Sequence, residues 1–260
     1  MTDLIEPSVL PSRDDAASTK AVLLVGGQGT RLRSVLPSVP KPLAPVGDRP
    51  FLELLIRQLK AQGIRQLVMC TGYLADDIEN KLGTGQNLGV TIEYSRERQS
   101  LGTAGAIKLA KTYLHGLREF VVMNGDSFLE VDIHQLLDFH HSHGGVATVA
   151  VVEVENAGRY GTVCAEASHR VTAFCEKTGN STPGLINAGV YVFSRALLDH
   201  IPVGTVSLEK EVFPKLLEHG IYAFELSGMF IDIGTPSDYA RAQEMFDRLS
   251  QAANLSSSGS

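Results

Sequence analysis

The amino-acid sequence predicts an α/β fold in which a mostly parallel sheet is flanked by helices and followed by a smaller antiparallel part. Three observations support this prediction. Apolar, strand-like runs alternate with segments of helical periodicity from Ala21 to Val152, a pattern typical of parallel sheets. A glycine-rich turn follows the first apolar run. Beyond Val152 the strand-like runs are joined by short connections, which favours antiparallel pairing.

The first half of the chain carries the regular alternation. Prolines between the first strand and the first helix exclude an α-helix there, whereas Leu52, Leu55 and Leu59 share one helical face. The expected strands are Ala21–Val25, Gln66–Cys70, Val90–Tyr94, Phe120–Met123 and Val146–Val152. The expected helices are Phe51–Gln62, Ala75–Leu82, Ala104–Leu114 and Ile133–His140. In such sheets, ligands bind beyond the carboxyl ends of the strands.

The second half is richer in short strands. Strands are expected at Gly161–Ala165, Val171–Cys175 and Ala188–Phe193. Two helices, Arg195–His200 and Leu208–His219, then precede a predicted strand pair, Tyr222–Leu226 with Met229–Ile233. A last helix is expected from Pro236 to about Leu249.

One domain is expected, because the chain shows no internal repeat and no long linker. Its 260 residues, 43% of them hydrophobic, are enough to bury a sizeable core. We expect this domain to span residues 20–249. The polar segments 1–19 and 250–260 are predicted to be flexible tails.

Charge and composition argue against several classes of partner. The net charge of −6 argues against a nucleic-acid-binding protein, because such domains are usually basic. No apolar run reaches the roughly 18 residues that a membrane helix needs, so no membrane partner is expected. The three cysteines, Cys70, Cys164 and Cys175, lack metal-type spacing. We interpret them as buried, reduced thiols of a cytosolic, cytoplasmic protein.

The glycine-rich turn is the first candidate site. Gly26, Gly27 and Gly29 follow the strand, and Arg31 comes directly after Thr30. Glycines allow backbone N–H groups to approach a phosphate, although the spacing is that of neither a P-loop nor a G-x-G-x-x-G fingerprint. An ordinary tight turn is the alternative. Between positions 20 and 49 the chain carries five basic residues and one acid, and this local excess favours a polyanionic ligand.

Two carboxylates are candidates for a metal site. Asp126 closes an apolar strand at the expected ligand edge, although Asn124-Gly125-Asp126 is also good turn chemistry. Asp232 lies between two isoleucines, where an unpaired charge is costly to bury. A buried ion pair is one reading of Asp232, and a metal ligand is the other. Mg²⁺ prefers one or two carboxylates together with substrate oxygens, so the pair could bind it beside a polyphosphate.

Other polar groups have ordinary alternatives. Glu176-Lys177 could be an exposed strand end, while Tyr160-Gly161 and Asn187-Ala188-Gly189 could be simple turns. His140, His141 and His143 lack ligand spacing, and we expect them at a solvated helix end.

Taken together and in this order, the motifs resemble those of the sugar-1-phosphate nucleotidyltransferases. The matching segments are Gly26–Leu32, Pro40–Pro42, Leu101–Gly105, Asn124–Asp126, Arg159–Gly161, Glu176-Lys177, Asn187–Gly189 and Asp232–Pro236. Each segment is weak evidence by itself, whereas the complete series is highly specific. The resemblance implies a Rossmann-like, GT-A-like nucleotidyltransferase fold with an antiparallel acceptor-binding part.

The resemblance also implies roles for individual residues. Residues in the nucleotide-binding role would be Gly26, Gly27, Gly29, Thr30, Gln99, Gly102 and Thr103. Arg31, Lys41 and Lys177 would act on phosphates in catalysis, and Asp126 and Asp232 would bind Mg²⁺. Gly161, Glu176 and Asn187 would contact the sugar. In the family, a phosphate oxygen of the sugar 1-phosphate attacks the nucleotide α-phosphorus in line and pyrophosphate leaves, so no nucleophilic side chain is required.

Finer features of the resemblance concern the substrates. Arg33-Ser34-Val35, Leu101–Gly105 and Ser207–Lys210 look most like D-glycero-D-manno-heptose 1-phosphate guanylyltransferases. GTP and this heptose 1-phosphate are therefore the expected substrates, for surface polysaccharide synthesis. The alternatives are mannose 1-phosphate, another nucleotide such as UTP or dTTP, and a catalytically silent sugar-nucleotide sensor. No acyltransferase domain is expected after the last helix, and a homo-oligomer is compatible with the family.

Overall fold

A mixed sheet of nine strands forms the centre of the described part of the chain in the computed structural model, which describes residues 19–175 and 182–254. In chain order, the described strands are β1 (Lys20–Leu24), β2 (Pro45–Val46), β3 (Arg49–Pro50), β4 (Gln66–Thr71), β5 (Thr91–Arg96), β6 (Glu119–Asn124), β7 (Ser127–Leu129), β8 (Ala147–Val154), β9 (Thr162–Ala165), β10 (Val171–Cys175), β11 (Gly184–Ser194), β12 (Ile221–Leu226) and β13 (Phe230–Asp232).

Helices cover both faces of this sheet. The described α-helices are α1 (Phe51–Ala61), α2 (Ala75–Leu82), α3 (Gly102–Leu109), α4 (Ile133–His143), α5 (Leu197–His200), α6 (Phe213–Leu216), α7 (Pro236–Glu244) and α8 (Phe246–Ala252). The side chain of Asp132 caps α4 by accepting from the backbone N–H groups of His134 and Gln135, and Gly144 ends that helix in a left-handed conformation.

The sheet changes from parallel to antiparallel pairing along its width. Strand β1 is parallel to β4 on one side and to β6 on the other, and β4 is parallel to β5. The long strand β11 then runs antiparallel to β6 and β8, and β9 pairs with β10. The predicted α/β class and its change of character after Val152 are therefore confirmed.

Two apolar clusters lie on opposite faces of the sheet. Along β1, Ala21 and Leu23 belong to one cluster and Val22 to the other, and all three are fully buried. A strand covered on both faces needs a continuous apolar run rather than an alternating one, which explains the opening Val22–Val25 segment. This burial holds the end of β1 rigidly where the glycine-rich turn begins.

The predicted pairing of the strands at 222–226 and 229–233 is wrong. Strand β12 lies parallel to β8, whereas β13 pairs antiparallel with β7, a three-residue strand that the sequence analysis did not identify. Adjacent strands with a short connection usually form a hairpin. Here the apolar residues of β12 complete the central sheet, and β13 is left to form a separate ribbon with β7.

Two predicted helices are interrupted, and the predicted helix Ala104–Leu114 changes to a 3₁₀ helix at Ala110. Segment 208–219 consists of a π-helical turn, the short α6 and a 3₁₀ turn, because Pro214 supplies no backbone N–H for a continuous helix. The expected last helix breaks at Met245, and its second part ends at Ala252 rather than Leu249.

Burial of the cysteines and histidines was also partly mispredicted. Cys70 is buried, and burial raises the pKa of its thiol to about 12. Cys164 and Cys175 are exposed, because β9 and β10 are the two outermost strands and both cysteines lie on the face opposite to Phe174, which packs on Phe213. His140 is not solvated: it is buried against β8, where its Nδ1 lies 2.9 Å from the Thr148 hydroxyl.

Candidate functional site

The glycine-rich turn lies at the carboxyl end of β1, as expected. Gly29 has a φ of +57°, and a Cβ at this position would lie 2.9 Å from Cβ of Lys41. Both the backbone conformation and the close approach therefore require glycine. Within the described part of the chain, the backbone N–H groups of residues 26–29 donate no hydrogen bond. They are free to bind an anion.

A cavity of about 190 Å³ lies against this turn. It contains several of the residues predicted to bind phosphates. Its lining residues are Leu24, Val25, Gly27, Gly29, Thr30, Arg31, Lys41, Pro42, Asp126 and Gly234. Exposed Arg31 and mostly buried Lys41 give the cavity two cationic groups, which suits a polyphosphate.

Lys41 and Asp126 form an ion pair in this cavity. The Lys41 Nζ lies 2.6 Å from Asp126 Oδ2. The Lys41 side chain is only 9% exposed, whereas that of Asp126 is 36% exposed. Lys41 begins a 3₁₀ turn within the proline-rich segment, and Asp126 follows β6. The ammonium group is therefore held in place by the protein, with a carboxylate that a bound cation could reach.

Asp232 is brought to the same place by the ribbon of β7 and β13. In that ribbon Asp232 pairs with Ser127, the residue after Asp126. The Ser127 hydroxyl donates to Asp232 Oδ2 at 3.0 Å, and the Gly234 N–H donates to Oδ1 at 2.6 Å. Burial raises the pKa of the Asp232 carboxyl above its ordinary value, and the nearby charge of Asp126 raises it further.

The donor set fits Mg²⁺. Asp126 lines a cavity with room for phosphate oxygens. The Ser127 hydroxyl lies 3.3 Å from Asp126 Oδ1 and 3.0 Å from Asp232 Oδ2, so the second carboxylate is close by. Mg²⁺ is usually bound by one or two carboxylates with substrate and water completing its shell. No group of three or more His, Cys, Asp or Glu side chains suited to a metal occurs among residues 19–175 and 182–254. The set is therefore unlike that of a structural zinc site, which uses four protein ligands.

A second cavity of about 230 Å³ continues from the first. The two share Leu24, Gly27 and Asp126, so one extended ligand could occupy both. The second is further lined by Gly26, Cys70, Glu97, Ser100, Gly102, Thr103, Ala106 and Asn124.

Three residues predicted near the base or ribose differ in position. Gly102 and Thr103 line the second cavity. The Thr103 hydroxyl accepts from the Leu208 N–H at 2.8 Å and donates to Glu209 at 3.2 Å, so it also joins α3 to the segment that follows Val206. Gln99 lines a separate groove on the other side of Leu101, and its nucleotide contact stays a prediction.

Glu97 is a candidate site residue that the sequence analysis did not identify. It follows β5 and lines the second cavity with half of its side chain buried. Its only sequence signal is position: it is an acid between a strand that ends at the ligand edge and the Leu101–Gly105 motif.

The expected sugar-binding residues lie on the antiparallel side. Asn187 Oδ1 accepts from the Gly189 N–H at 3.0 Å, and its Nδ2 donates to the Tyr191 hydroxyl at 2.8 Å. Gly161 lies beside the carbonyl of Cys175, where a Cβ would come within 3.0 Å of the oxygen. The other two predicted residues, Glu176 and Lys177, lie outside the described residues.

Comparisons with known proteins identify the family to which the chain belongs. Residues 20–248 match the family model described as nucleotidyl transferase. The mannose-1-phosphate guanylyltransferase of Mycobacterium tuberculosis (strain ATCC 25618 / H37Rv) is 42% identical over 225 residues, 85% of this chain and 62% of that protein. The mannose-1-phosphate guanylyltransferase catalytic subunit beta of Drosophila melanogaster is 39% identical over 224 residues, 85% of this chain and 61% of that protein. The chain thus spans about three fifths of the length of these relatives.

Solved structures of nucleotidyltransferases have a fold similar to that of this chain. The crystal structure of HddC from Yersinia pseudotuberculosis complexed with GMP-PN has a TM-score of 0.79 at 33% identity, covering 88% of this chain and 99% of that chain. A putative glucose-1-phosphate thymidylyltransferase from Bacillus anthracis has a TM-score of 0.78 at 24% identity, which is a likeness of fold. The predicted GT-A-like nucleotidyltransferase fold is confirmed. Among the described helices, none is both long and apolar enough to cross a membrane.

Proposed function

Because the chain belongs to the nucleotidyl transferase family, we propose that it transfers GMP from GTP to a sugar 1-phosphate, giving a GDP-sugar and pyrophosphate. The observation that carries this proposal is the Lys41–Asp126 pair, held at 2.6 Å beside the glycine-rich turn with Asp232 next to it. The guanylyltransferase names of the relatives from Mycobacterium tuberculosis and Drosophila melanogaster support the choice of base.

The reaction requires positioning and charge neutralisation. A phosphate oxygen of the sugar 1-phosphate forms a bond to the α-phosphorus of GTP while the bond to the bridging oxygen of pyrophosphate breaks. The free N–H groups of residues 26–29 and the Arg31 guanidinium bind the β- and γ-phosphates that leave. Lys41, whose ammonium is already fixed, stabilises the charge that develops around the α-phosphate.

Asp126 and Asp232 are proposed to bind Mg²⁺. When bound, the ion neutralises phosphate charge and orients the α-phosphate for attack. Engagement of Asp126 by the ion would leave the Lys41 ammonium to donate to phosphate oxygens, which accounts for a mostly buried lysine in a cavity open to ligand. Ser127 and the Gly234 N–H keep the Asp232 carboxylate oriented toward this position.

The sugar is proposed to lie on the antiparallel side, near Gly161 and Asn187, with Glu176 and Lys177 contributing a hydroxyl contact and a phosphate contact. D-glycero-D-manno-heptose 1-phosphate is the proposed substrate, on the motifs at positions 33–35 and 207–210. Mannose 1-phosphate is the second candidate, because the curated relatives carry that name. The two sugars share the manno-configured ring and differ in one carbon beyond C5. We further propose that the protein acts in the cytoplasm.

The test is a panel of pyrophosphate-release assays with Mg²⁺. GTP, UTP and dTTP are each combined with heptose, mannose and glucose 1-phosphates. Release with GTP and a manno-configured sugar is the expected result, with heptose giving the highest kcat/KM. No release with any pair would contradict the enzyme proposal and, if GDP-sugar binds tightly, would favour the sensor. Release restricted to UTP or dTTP would contradict the guanylyl assignment.

A further inference from the structure

Cys164 and Cys175 are two exposed free thiols on the outermost strands of the sheet. Their sulfur atoms lie 3.9 Å apart, and one thiol can donate a hydrogen bond to the other. Cys70, in contrast, is buried, and burial raises the pKa of its thiol to about 12. A solute in water therefore reaches the Cys164–Cys175 pair far more readily than it reaches Cys70.

The register of β9 and β10 explains this contact. Cys164 lies opposite Ala173 and Cys175 lies opposite Thr162, so the two cysteines are diagonal neighbours on one face. The ladder is irregular at Thr172, whose hydroxyl donates to the Cys164 carbonyl at 3.2 Å. A bulge increases the local twist of a strand pair and redirects side chains. Pairing of two distant segments thus places the sulfurs together.

We propose that Cys164 and Cys175 form a reversible oxidation site, which hydrogen peroxide converts into an intramolecular disulfide. One thiolate attacks a peroxide oxygen, so that an S–O bond forms, the O–O bond breaks and the other oxygen takes up a proton and leaves as water. The second thiol attacks the resulting sulfenic acid: the S–S bond forms, the S–O bond breaks, and the departing oxygen takes the thiol proton and leaves as water. The two thiols lose two electrons, which reduce the peroxide to water.

The surroundings of Cys164 set the speed of this reaction. Partial burial raises the pKa of the Cys164 thiol, and the hydrogen bond with Cys175 raises it further. The thiolate is the reactive form, so a raised pKa slows the attack on peroxide. The pair therefore suits a response to sustained oxidation rather than the rapid turnover of peroxide.

Closing the disulfide requires a movement at the end of β10. The Cα atoms of a disulfide usually lie about 4.4–6.8 Å apart, whereas diagonal neighbours in an antiparallel pair are about 7–8 Å apart. Strand β10 is at the edge of the sheet and Cys175 is its last residue, so this end can move more easily than β9, which lies between β10 and β11.

This movement would act on the acceptor side. A Cβ on Gly161 would lie 3.0 Å from the carbonyl oxygen of Cys175, so the two backbones are in close contact there. Cys175 also directly precedes Glu176-Lys177 in the sequence. Gly161, Glu176 and Lys177 are the residues proposed to contact the sugar 1-phosphate. Oxidation should therefore weaken binding of the sugar 1-phosphate and leave the binding of GTP unchanged.

The first measurement is the disulfide itself, which needs no substrate. The reduced full chain is treated with hydrogen peroxide, and after alkylation its cysteines are mapped by peptide mass spectrometry. Wild-type protein should lose two of its three thiols together, with Cys164 linked to Cys175 and Cys70 still reduced. Dithiothreitol should restore both thiols.

Cys164→Ser and Cys175→Ser are the matched controls, because each removes one sulfur and keeps a side chain of similar size. Neither variant should form an internal disulfide after the same treatment. Sulfinic acid without a Cys164–Cys175 link in the wild type, or disulfide-bonded dimers as its main product on a non-reducing gel, would contradict the oxidation site.

The second measurement concerns the acceptor side and rests on the proposed function. It uses pyrophosphate release with GTP and the sugar 1-phosphate that gives the highest kcat/KM. Oxidised wild-type protein should show a KM for the sugar 1-phosphate that is raised about 2- to 10-fold, the effect of weakening one hydrogen bond, at an unchanged KM for GTP. Peroxide-treated Cys164→Ser should keep the KM values of the untreated variant.

The outcomes separate this inference from the proposed function. A mapped disulfide that changes neither KM value, or raises both equally, would contradict the effect on the acceptor side. Normal pyrophosphate release by a protein that forms no Cys164–Cys175 disulfide would contradict this inference alone. A mapped disulfide in a protein that releases no pyrophosphate would support the oxidation site and contradict the proposed function.

Discussion

The proposed nucleotide side of the molecule contains the parallel strands β1, β4, β5 and β6, whereas the proposed acceptor side contains β8, β9, β10 and β11, which pair with one another antiparallel. On the nucleotide side, β1, β4, β5 and β6 are parallel, and β1 is buried on both faces. Their carboxyl ends meet at one edge, where Lys41, Asp126 and Glu97 are held by fixed contacts. On the acceptor side, β9 and β10 are antiparallel and leave Cys164 and Cys175 exposed.

This difference indicates a division of labour. Charge neutralisation on a triphosphate needs groups fixed before the substrate arrives, and a doubly covered parallel sheet supplies that rigidity. The choice among sugars depends on contacts with sugar hydroxyls. At an exposed antiparallel edge, the side chains that make these contacts can differ between proteins at little cost in stability. Relatives with similar nucleotide sites and different sugars are therefore expected to differ mainly on the acceptor side.

The largest expected effect comes from Asp126→Asn on the nucleotide side. Loss of this carboxylate charge removes both the partner of Lys41 and one proposed Mg²⁺ ligand, so turnover should fall by on the order of 10²- to 10³-fold or more. The fold should persist, because the amide has the same shape and the side chain is partly exposed. Pyrophosphate release across Mg²⁺ concentrations measures the loss, and circular dichroism checks the fold.

Asp138→Asn is the control for this change, since Asp138 is exposed on α4 away from the cavities. It should have wild-type activity. Near-normal Mg²⁺-dependent release by Asp126→Asn would contradict the metal role.

A smaller effect, on stability, is expected when the pH is lowered, and it comes from His140 on the acceptor side. Burial lowers the pKa of His140 to about 4, whereas the unfolded chain takes up this proton near its ordinary value of 6.5. The unfolded state therefore binds more protons between these values, and stability is lost as pH falls through that window. Protonation of His140 over this pH window should lower the free energy of unfolding by about 3 kcal/mol.

The free energy of unfolding of the wild type and of His140→Gln is measured with denaturant at several pH values from 7 to 4. The contribution of His140 is the difference between the two proteins in how steeply this free energy falls as the pH is lowered. Hydrogen exchange should show β8, which carries Thr148, losing protection before β1. Parallel curves for the two proteins would contradict the assignment to His140.

The smallest expected effect comes from the ion pair between Arg159 and Asp238, which joins the two sides. Arg159 precedes Tyr160-Gly161 on the acceptor side and bonds to Asp238 at the start of α7, shortly after Asp232. Burial alone would raise the pKa of Asp238, but the hydrogen bonds from Arg159 and Thr235 hold that pKa below its ordinary value. Arg159→Gln should cost about 1–3 kcal/mol in stability, because Asp238 is left buried with a weaker partner.

The same variant should raise KM for the sugar 1-phosphate more than KM for GTP. Lys111→Gln, in an exposed pair with Asp199 at 3.2 Å, is the control and should change stability by no more than about 1 kcal/mol. An equal increase of both KM values in Arg159→Gln would contradict the proposal that the nucleotide and the sugar bind on separate sides joined by the Arg159–Asp238 pair.

Local features of the site were predictable, because they depend on neighbours in the chain. The end of β1, the left-handed Gly29, the start of α1 after the prolines and the position of Asp126 follow from apolar runs and turn residues. The sequence analysis also found Asp232, from its place between two isoleucines, and Lys41, whose role came from the series of motifs. Their roles, and those of Glu176 and Lys177, stay predictions.

Contacts between distant segments were not predictable. The Ser127–Asp232 hydrogen bond joins residues 105 positions apart, and it depends on β7, which is too short to show a period of its own. The fit of Glu97 against Gly26 and Gly72 requires three strands to end side by side. Exposure of Cys164 and Cys175 reflects their place on the two outermost strands of the sheet, on the face opposite to Phe174, which stacks on Phe213 of α6.

The sequence by itself therefore determined the fold class, the glycine-rich turn and the family, since periodicity and turn chemistry are local and the motifs keep their order. Tertiary structure alone decided that Asp232 lies near Asp126, that Thr103 joins α3 to a distant loop and that Glu97 lines the second cavity. These features arise from strand pairing and from close backbone approach at glycines, and both depend on which distant segments share the remaining space in the fold.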